Sequence, residues 1–178
     1  SSDLDLLLKP HLEYARDMFL FSFYTRGMSF IDMAYLKKSD LKNGTITYRR
    51  RKTGQQLTIK WEKCMEDIIA KYGTNTATHY LLPIITNPCS DERTQYRNAI
   101  CRINVALKEV AKLAGLHIPL TMHVARHCWA SVAKSKNIPL SVISEGMGHD
   151  SEETTRIYLA SLDTSVVDKA NSLILKDF

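Results

Sequence analysis

The chain has 178 residues, of which 44% are hydrophobic and 24% are charged. A chain of this length folds as one domain and buries about 70% of the surface that it exposes when unfolded, so it needs no disulfide bonds. Its four cysteines form no C-x-x-C pair, and no apolar stretch approaches the roughly 20 residues of a membrane span. The net charge of +5 favours an anionic partner, with nucleic acid ahead of an anionic membrane surface. We therefore expect a cytoplasmic protein with reduced thiols and no membrane association.

Hydrophobic periodicity predicts a fold that is mainly α with a small antiparallel β-sheet (α+β). Helices are predicted at residues 10–24, 30–36, 61–72, 91–114, 122–135, 140–146 and 165–175, with a further helix that begins near residue 150. An Asn43-Gly44 turn and a second turn at 52–55 separate short alternating segments, which predicts three antiparallel strands. Ser90 is predicted to cap the long fourth helix, and Ser29 with Asp32 has the spacing of a capping box. This architecture alone indicates no function.

The most informative stretch is His123-Val124-Ala125-Arg126-His127. Helix positions i, i+3 and i+4 share a face, so the two histidines and the arginine point the same way. A guanidinium grips a phosphate with two hydrogen bonds, and an imidazole beside it can move a proton near neutral pH, so the group suits phosphoryl chemistry. For an isolated motif, a solvated basic helix face is the commoner explanation. A zinc site is a third possibility, but Val124 stands where the zinc-hydrolase motif has Glu.

A second motif follows, in which Gly148-His149 precedes Thr154-Thr155 and Tyr158 lies nine residues after the histidine. With the H-x-x-R-H motif before it, this order of residues resembles the signatures of the tyrosine recombinases, the phage integrase family. Tyr158 alone would be interpreted as a buried core tyrosine. The arginine of the first motif and the glycine of the second are 22 residues apart, and both motifs in this order are specific.

The resemblance covers residues 12–175, nearly the whole chain. Lys52, in the basic turn between the second and third strands, matches the lysine on the family's β-hairpin. Without the family, this turn would be a solvated hairpin or a contact with a DNA backbone. The resemblance implies a tyrosine recombinase catalytic-domain fold, and residues 1–178 are expected to be a single catalytic domain. The family's N-terminal DNA-binding domain is not recognisable, so we expect a fragment of a longer protein.

The resemblance also implies a reaction on double-stranded DNA that needs no metal and no cofactor. Tyr158 would attack the scissile phosphate, form a 3′-phosphotyrosyl link and free a 5′-hydroxyl. His123 would help the tyrosine to lose its proton, and Lys52 would protonate the leaving oxygen. Arg126 and His149 would bind the phosphate. A homo-tetramer on DNA, acting in the integration or excision of a mobile element, is implied in the same way.

The family's first arginine is missing from its usual place. The family has Y-T-G-x-R three residues before an acid, whereas here the place falls on Met28, counted from Tyr24, or on Ser29, counted back from Asp32. Arg26 lies two or three residues away and is predicted to supply the guanidinium through a rearranged loop. The alternative is that another basic residue compensates.

Other functions remain open at this point. The missing arginine favours a catalytically impaired DNA-binding or regulatory module of the same fold. A type IB topoisomerase would use the same tyrosine chemistry, and a metal hydrolase would use His123 and His127 as ligands. The apolar stripe of the last helix fits docking on a neighbouring subunit, as the resemblance implies, and equally fits packing on its own core.

Overall fold

A computed structural model describes residues 9–72, 77–116, 119–162 and 164–175. Within these ranges the elements are α1 (Pro10–Tyr24), α2 (Phe30–Ala34), a 3₁₀ turn (Lys38–Asp40), β1 (Leu41–Lys42), β2 (Thr45–Arg49), β3 (Gln56–Lys60), α3 (Lys63–Lys71), α4 (Glu92–Leu113), α5 (Met122–Ser135), α6 (Leu140–Met147), α7 (Glu152–Ser161) and α8 (Thr164–Leu175). The predicted fold class, mainly helical with one small antiparallel sheet, is confirmed. None of the helices described is long and apolar enough to cross a membrane.

The helix α1 runs through the centre of the domain. It begins at Pro10, whose missing N–H would have no partner in the first turn of a helix. It packs against α3, α4 and α5. Because these neighbours surround it, its buried residues are not confined to one narrow stripe: Leu12, Met18 and Phe21 are all fully buried.

The three strands form an antiparallel sheet in the order β1-β2-β3. Arg49 pairs with Gln56 at the end of the β2–β3 ladder, next to the turn. Alternate residues of β2 face the interior, so Ile46 and Tyr48 are buried while Arg49 is exposed. The alternation continues one step beyond the strand to Arg50, which is also buried. The pleat of β2 therefore directs one arginine of a basic run into the domain.

Two helix starts differ from the prediction. The cap of α4 is Asp91 instead of Ser90, because the Asp91 carboxylate accepts a hydrogen bond from the Thr94 N–H at 2.8 Å. The helix α3 begins two residues later than predicted. Its expected first residue, Trp61, stays with the sheet because its N–H donates to the Gly44 carbonyl at 2.9 Å.

The buried side chains form two clusters. The larger, called here the main core, includes residues of α1 to α5, of the sheet and of α8. Through Val167 and Ala170, the last helix packs on α5 of its own domain. The smaller, called here the satellite core, lies between the end of α5, α6 and α7, and its buried members are Ala130, Ala133, Ile143, Met147 and Leu159.

Candidate active site

Arg126 lies at the centre of the site, in α5, and only 5% of it is exposed. Its guanidinium donates from Nη1 to the Gly27 carbonyl and from Nη2 to the Met147 carbonyl, each at 2.9 Å. Arg126 thus joins the loop after α1 to the end of α6. Burial, followed by the charge of Arg50, lowers the pKa of Arg126 to about 10, so it remains a cation at neutral pH.

The loop after α1 approaches α5 more closely than a side chain would permit. Gly27 has a φ of 72°, and a Cβ there would lie 2.8 Å from the Arg126 Cα. The Gly27 N–H donates to the Ser22 carbonyl at 2.8 Å, which closes the turn that ends α1. In this turn Arg26 has a φ of 61° and takes the left-handed position that glycine usually occupies.

The side chain of Arg26, which the sequence predicted as the substitute for the missing arginine, lies next to α6 at Gly146. Its Cδ lies 3.6 Å from the position that a Cβ of Gly146 would take. Three arginines lower the pKa of Tyr48, and the effect of Arg26 is smaller than those of Arg126 and Arg50. Arg26 is therefore near the site, with its aliphatic part packed beside it.

The β2–β3 turn holds the loop after α6. Arg50 Nη1 and Thr53 Oγ1 donate to the Gly148 carbonyl at 3.1 and 3.3 Å, and Gln55 Nε2 donates to the His149 carbonyl at 3.1 Å. Gly148 has a φ of 67° at the C-terminus of α6, and a Cβ there would lie 3.1 Å from the Arg50 Cδ. Both the backbone conformation and the neighbouring arginine therefore favour glycine at this position.

His149 lies between Arg126 and α7. Its Nε2 is 3.4 Å from Arg126 Nη2, and its Nδ1 is 2.7 Å from Thr155 Oγ1. Because an arginine can only donate, Nε2 is assigned as the acceptor and Nδ1 as the protonated nitrogen. Burial, followed by the charges of Arg126 and Arg50, lowers the pKa of His149 to about 4. The imidazole is therefore neutral at pH 7.

Tyr158 reaches the same place from α7. Its hydroxyl lies 2.5 Å from His127 Nδ1, and its ring centroid is 5.6 Å from that of His149. Nine residues separate His149 from Tyr158, and the turn that precedes α7 lets the two side chains approach each other. Burial raises the pKa of Tyr158 to about 12, although the charges of Arg126 and Arg50 lower it. The free protein therefore holds a protonated phenol.

The two histidines of α5 lie side by side, with ring centroids 4.5 Å apart. His127 contacts Tyr158, whereas His123, predicted to assist the tyrosine, is exposed. Burial, followed by the charges of His123 and Arg126, lowers the pKa of His127 to about 4, so its ring is neutral at pH 7. No group of three or more His, Cys, Asp or Glu residues arranged to hold a metal occurs in the described part of the chain.

Lys52 lies at the rim of the site, exposed at the tip of the β2–β3 turn. Its charge contributes to the lowered pKa of both His123 and His149. The structure therefore brings Arg126, His149 and Tyr158 together and leaves Lys52 and His123 at the edge.

Sequence reasoning missed two residues of this site. Arg50 was treated as part of a basic turn, although the strand period of two places it on the same face as Ile46 and Tyr48. His127 was recognised in the motif, but its contact with Tyr158 depends on how α6 and α7 fold back, which the local sequence does not indicate.

The chain was compared with known families and structures. The model of the phage integrase family matches residues 8–165. XerA recombinase is a similar solved structure, with a TM-score of 0.59 and 19% identity, covering 90% of this chain and 63% of that one. A lambda integrase (75-356) dimer bound to a COC′ core site is another, with a TM-score of 0.61 and 17% identity, covering 89% of this chain and 58% of that one.

At such identities the two structures establish a shared fold, and the chain spans about three fifths of the length of either. The sequence has no significant match among curated proteins. The family match extends over most of the chain and includes every residue of the site described above. The chain therefore belongs to the phage integrase family and has the fold of the tyrosine recombinase catalytic domains.

Proposed function

We propose that this domain cuts and rejoins double-stranded DNA as a site-specific recombinase, with Tyr158 as the nucleophile. The observation that carries the proposal is the position of the Tyr158 hydroxyl, which contacts a neutral imidazole in a site that also holds the buried Arg126. Among the described residues no carboxylate forms an ion pair with Arg126, so its charge is available to an anionic substrate. Membership of the phage integrase family supports the same chemistry.

In the proposed reaction, the Tyr158 oxygen attacks the scissile phosphorus and the bond from phosphorus to the 5′-oxygen breaks. The phenol proton passes to His127 Nδ1, with which the hydroxyl is already in contact. In this proposal His123, whose ring centroid lies 4.5 Å from that of His127, then carries the proton away. Lys52 protonates the leaving 5′-oxygen. The products are a 3′-phosphotyrosyl link and a free 5′-hydroxyl, and attack by a 5′-hydroxyl on this link reverses the step without an energy source.

Arg126 and His149 act on the phosphate in this proposal. Negative charge grows on the non-bridging oxygens as the tyrosine attacks, and a fixed cation at that point lowers the barrier. Removal of one such donor slows reactions of this type by about 10²–10³-fold. Because backbone carbonyls already hold the Arg126 guanidinium, little reorganisation is needed when the phosphate arrives.

The DNA and the assembly belong to the same proposal. One of the similar structures is a lambda integrase dimer bound to a core site. By extension, we propose that this domain binds double-stranded DNA in the cytoplasm and acts there as a homo-tetramer in the integration or excision of a mobile element. With a net charge of +5, its DNA affinity is expected to fall steeply as the salt concentration rises.

Covalent capture on DNA tests the proposal. The protein is incubated with a pool of nicked duplexes that carry a random central sequence, and DNA that stays attached after denaturation in detergent is isolated and sequenced. We expect attached DNA with the wild-type protein and none with Tyr158→Phe. Tyr14→Phe is the matched control, since Tyr14 is a half-buried tyrosine whose hydroxyl donates to the Pro83 carbonyl outside the site. Capture by Tyr158→Phe at the wild-type level would contradict the proposal.

A catalytically impaired DNA-binding module is the second candidate. The observation that favours it is the missing first arginine of the family, whose place falls on Met28 or on Ser29. Duplex binding without any covalent product, from the wild-type protein, would support this candidate over the recombinase.

A further inference from the structure

Ser29, one of the two positions on which the missing arginine falls, begins a short series of hydrogen bonds that leads to the β2–β3 turn. Ser29 Oγ donates to Asp32 Oδ2 at 2.8 Å, and Asp32 Oδ1 accepts from the Arg51 backbone N–H at 3.0 Å. Asp32 is buried, with 5% of it exposed. The carboxylate that follows the missing arginine in sequence thus fixes the backbone of the turn, one residue after Arg50.

Arg50 is buried to nearly the same degree as Arg126, with 6% exposed. Its Nη1 donates to the Gly148 carbonyl, while Arg126 donates to the carbonyl of the preceding residue, Met147. The two guanidiniums therefore bind consecutive carbonyls at the end of α6. The Arg50 Nε is buried and has no hydrogen-bond partner among the residues that the structure describes.

The ion pairs found in the described ranges involve neither of the two buried cations, Arg50 and Arg126. The Asp32 carboxylate acts on Arg126 without forming an ion pair with it, and its hydrogen bonds go to Ser29 and the Arg51 N–H. The charge of Arg50 acts on Arg126, on His149 and on Tyr158, so it lies within the site. Adjacent buried like charges are costly unless a counter-charge joins them. A phosphodiester bound between the two guanidiniums would supply it.

We infer that Arg50 is the second phosphate-binding arginine of this site, supplied by the β-hairpin in place of the arginine missing near α2. This inference rests on the proposed function. Arg50 binds a non-bridging oxygen of the scissile phosphate together with Arg126 and neutralises the charge that grows there. Arg26 is less suited to this role, because its Cδ lies next to Gly146 of α6 and its charge is not among those that shift the pKa of Tyr158.

A purely structural role for Arg50, as a support for the Gly148 carbonyl, makes a different prediction. A support would matter equally for any substrate, whereas a group that neutralises charge matters only if the phosphate is charged. Replacing one non-bridging oxygen of the scissile phosphate by a methyl group, as in a methylphosphonate, removes that charge and leaves the rest of the DNA unchanged. The two roles are therefore distinguishable by substrate.

The experiment uses a duplex whose sequence was identified by covalent capture. It compares the cleavage rates of two forms of this duplex, one with a phosphodiester and one with a methylphosphonate at the scissile position. Arg50→Met keeps the aliphatic stem, and Arg49→Met is the matched control at the exposed neighbour. We expect Arg50→Met to be about 10²–10³-fold slower than wild type on the phosphodiester and close to wild type on the methylphosphonate. Equal losses on both substrates, or none, would overturn the inference. A selective loss in Arg26→Met, with Arg50→Met unaffected, would assign the role to Arg26.

A second measurement tests Arg50 without DNA cleavage. Sulfate, compared with chloride at equal ionic strength, stabilises any folded protein by its exclusion from the surface. We expect it to raise the unfolding temperature of the wild-type protein and of Arg49→Met by more than that of Arg50→Met, because only the first two keep the proposed anion site. An equal rise in all three proteins would contradict the inference. Absence of any covalent product from the wild-type protein would count against the proposed function alone, and the sulfate result would still decide whether Arg50 binds an anion.

Discussion

The side chains proposed to bind the phosphate and the proposed nucleophile lie in parts of the domain, called here the two halves, that bury different amounts of apolar surface. Arg126 belongs to α5 and Arg50 directly follows β2, and both elements contribute to the main core. Tyr158 belongs to α7, which packs with α6 on the few residues of the satellite core. Since local stability follows the amount of buried apolar contact, α7 is expected to open more readily than the elements of the main core. The proposed nucleophile is therefore expected to move more readily than the two arginines, whose guanidiniums donate to the Met147 and Gly148 carbonyls at the end of α6.

Only a few polar contacts join the two halves. Tyr158 contacts His127, and His149 lies beside Arg126. The β2–β3 turn also holds the Gly148 and His149 carbonyls. Separation of α7 from α5 would break the Tyr158–His127 contact and leave the two arginines in position. The following predictions test this difference, beginning with the largest expected effect.

Substitution of the tyrosine's partner is expected to have the largest effect on the reaction. His127→Phe removes the group that contacts the Tyr158 hydroxyl and should slow cleavage by about 10²–10⁴-fold, the usual contribution of a positioned proton transfer. His123→Phe, at the exposed neighbour, should cost less. The measurement is the rate of covalent adduct formation in a single turnover. A larger loss for His123→Phe would assign the proton transfer to His123, as the sequence predicted.

Alanine substitutions in the main core and in the satellite core compare the stability of the two halves directly. Leu107 in the main core is fully buried, and Leu107→Ala should lower the free energy of unfolding by about 2–5 kcal/mol. Leu159→Ala in the satellite core should lower the unfolding temperature less, while amide exchange in α7 becomes faster and cleavage slower. Thermal unfolding and hydrogen exchange measure both effects. Equal falls in unfolding temperature, with exchange changed throughout the domain, would mean that the halves unfold as one unit.

Alanine substitutions at two glycines with positive φ distinguish the cost of backbone strain from the cost of a steric contact. Gly115 has a φ of 77°, and an added Cβ would meet no atom within 4 Å. Gly115→Ala should therefore lower the free energy of unfolding only by the backbone strain, about 1–2 kcal/mol. Gly148→Ala adds a Cβ 3.0 Å from Leu57 Cδ1 and 3.1 Å from Arg50 Cδ. We therefore expect a larger loss of stability at Gly148, with slower cleavage. Chemical denaturation compares the two variants, and equal losses would show that the hairpin does not support this loop tightly.

Acid is expected to destabilise the folded domain through two histidines of the site. His127 and His149 have pKa values of about 4 in the folded protein, against an ordinary value of 6.5. Between pH 6.5 and 4 the unfolded chain binds protons at these histidines and the folded chain does not, so the free energy of unfolding falls as the pH falls through this window. Urea denaturation at pH 7 and pH 5 measures the change. The double variant His127→Gln/His149→Gln should depend less on pH, and an unchanged dependence would contradict the assignment.

Local sequence patterns were sufficient to predict the fold and part of the site. The helix α1 was predicted with its observed bounds, and the two turns of the sheet were located from Asn43-Gly44 and the 52–55 segment. These features depend on neighbouring residues, through periodicity and turn chemistry. The meeting of Arg126 and His149 could be expected from the family's motifs, which indicate their order but not their distances.

The remaining features depend on contacts between distant segments. The left-handed turn at Arg26 exists because Gly27 packs on Arg126, 99 residues later in the chain. The inward position of Arg50 follows from the strand pleat, but its bond to Gly148 joins residues 98 apart. No local rule predicts such pairs. The burial of Arg50, between the exposed Arg49 and Arg51, was therefore not recognised from the basic run alone.

The central claim is that Tyr158 becomes linked to DNA through a 3′-phosphate. The most direct test is to digest the captured complex with nuclease and protease and to identify the modified peptide by mass spectrometry. We expect a nucleotide attached to Tyr158 through its 3′-phosphate, with a free 5′-hydroxyl on the released strand. A nucleotide on any other residue, or a link through a 5′-phosphate, would rule out the proposed reaction.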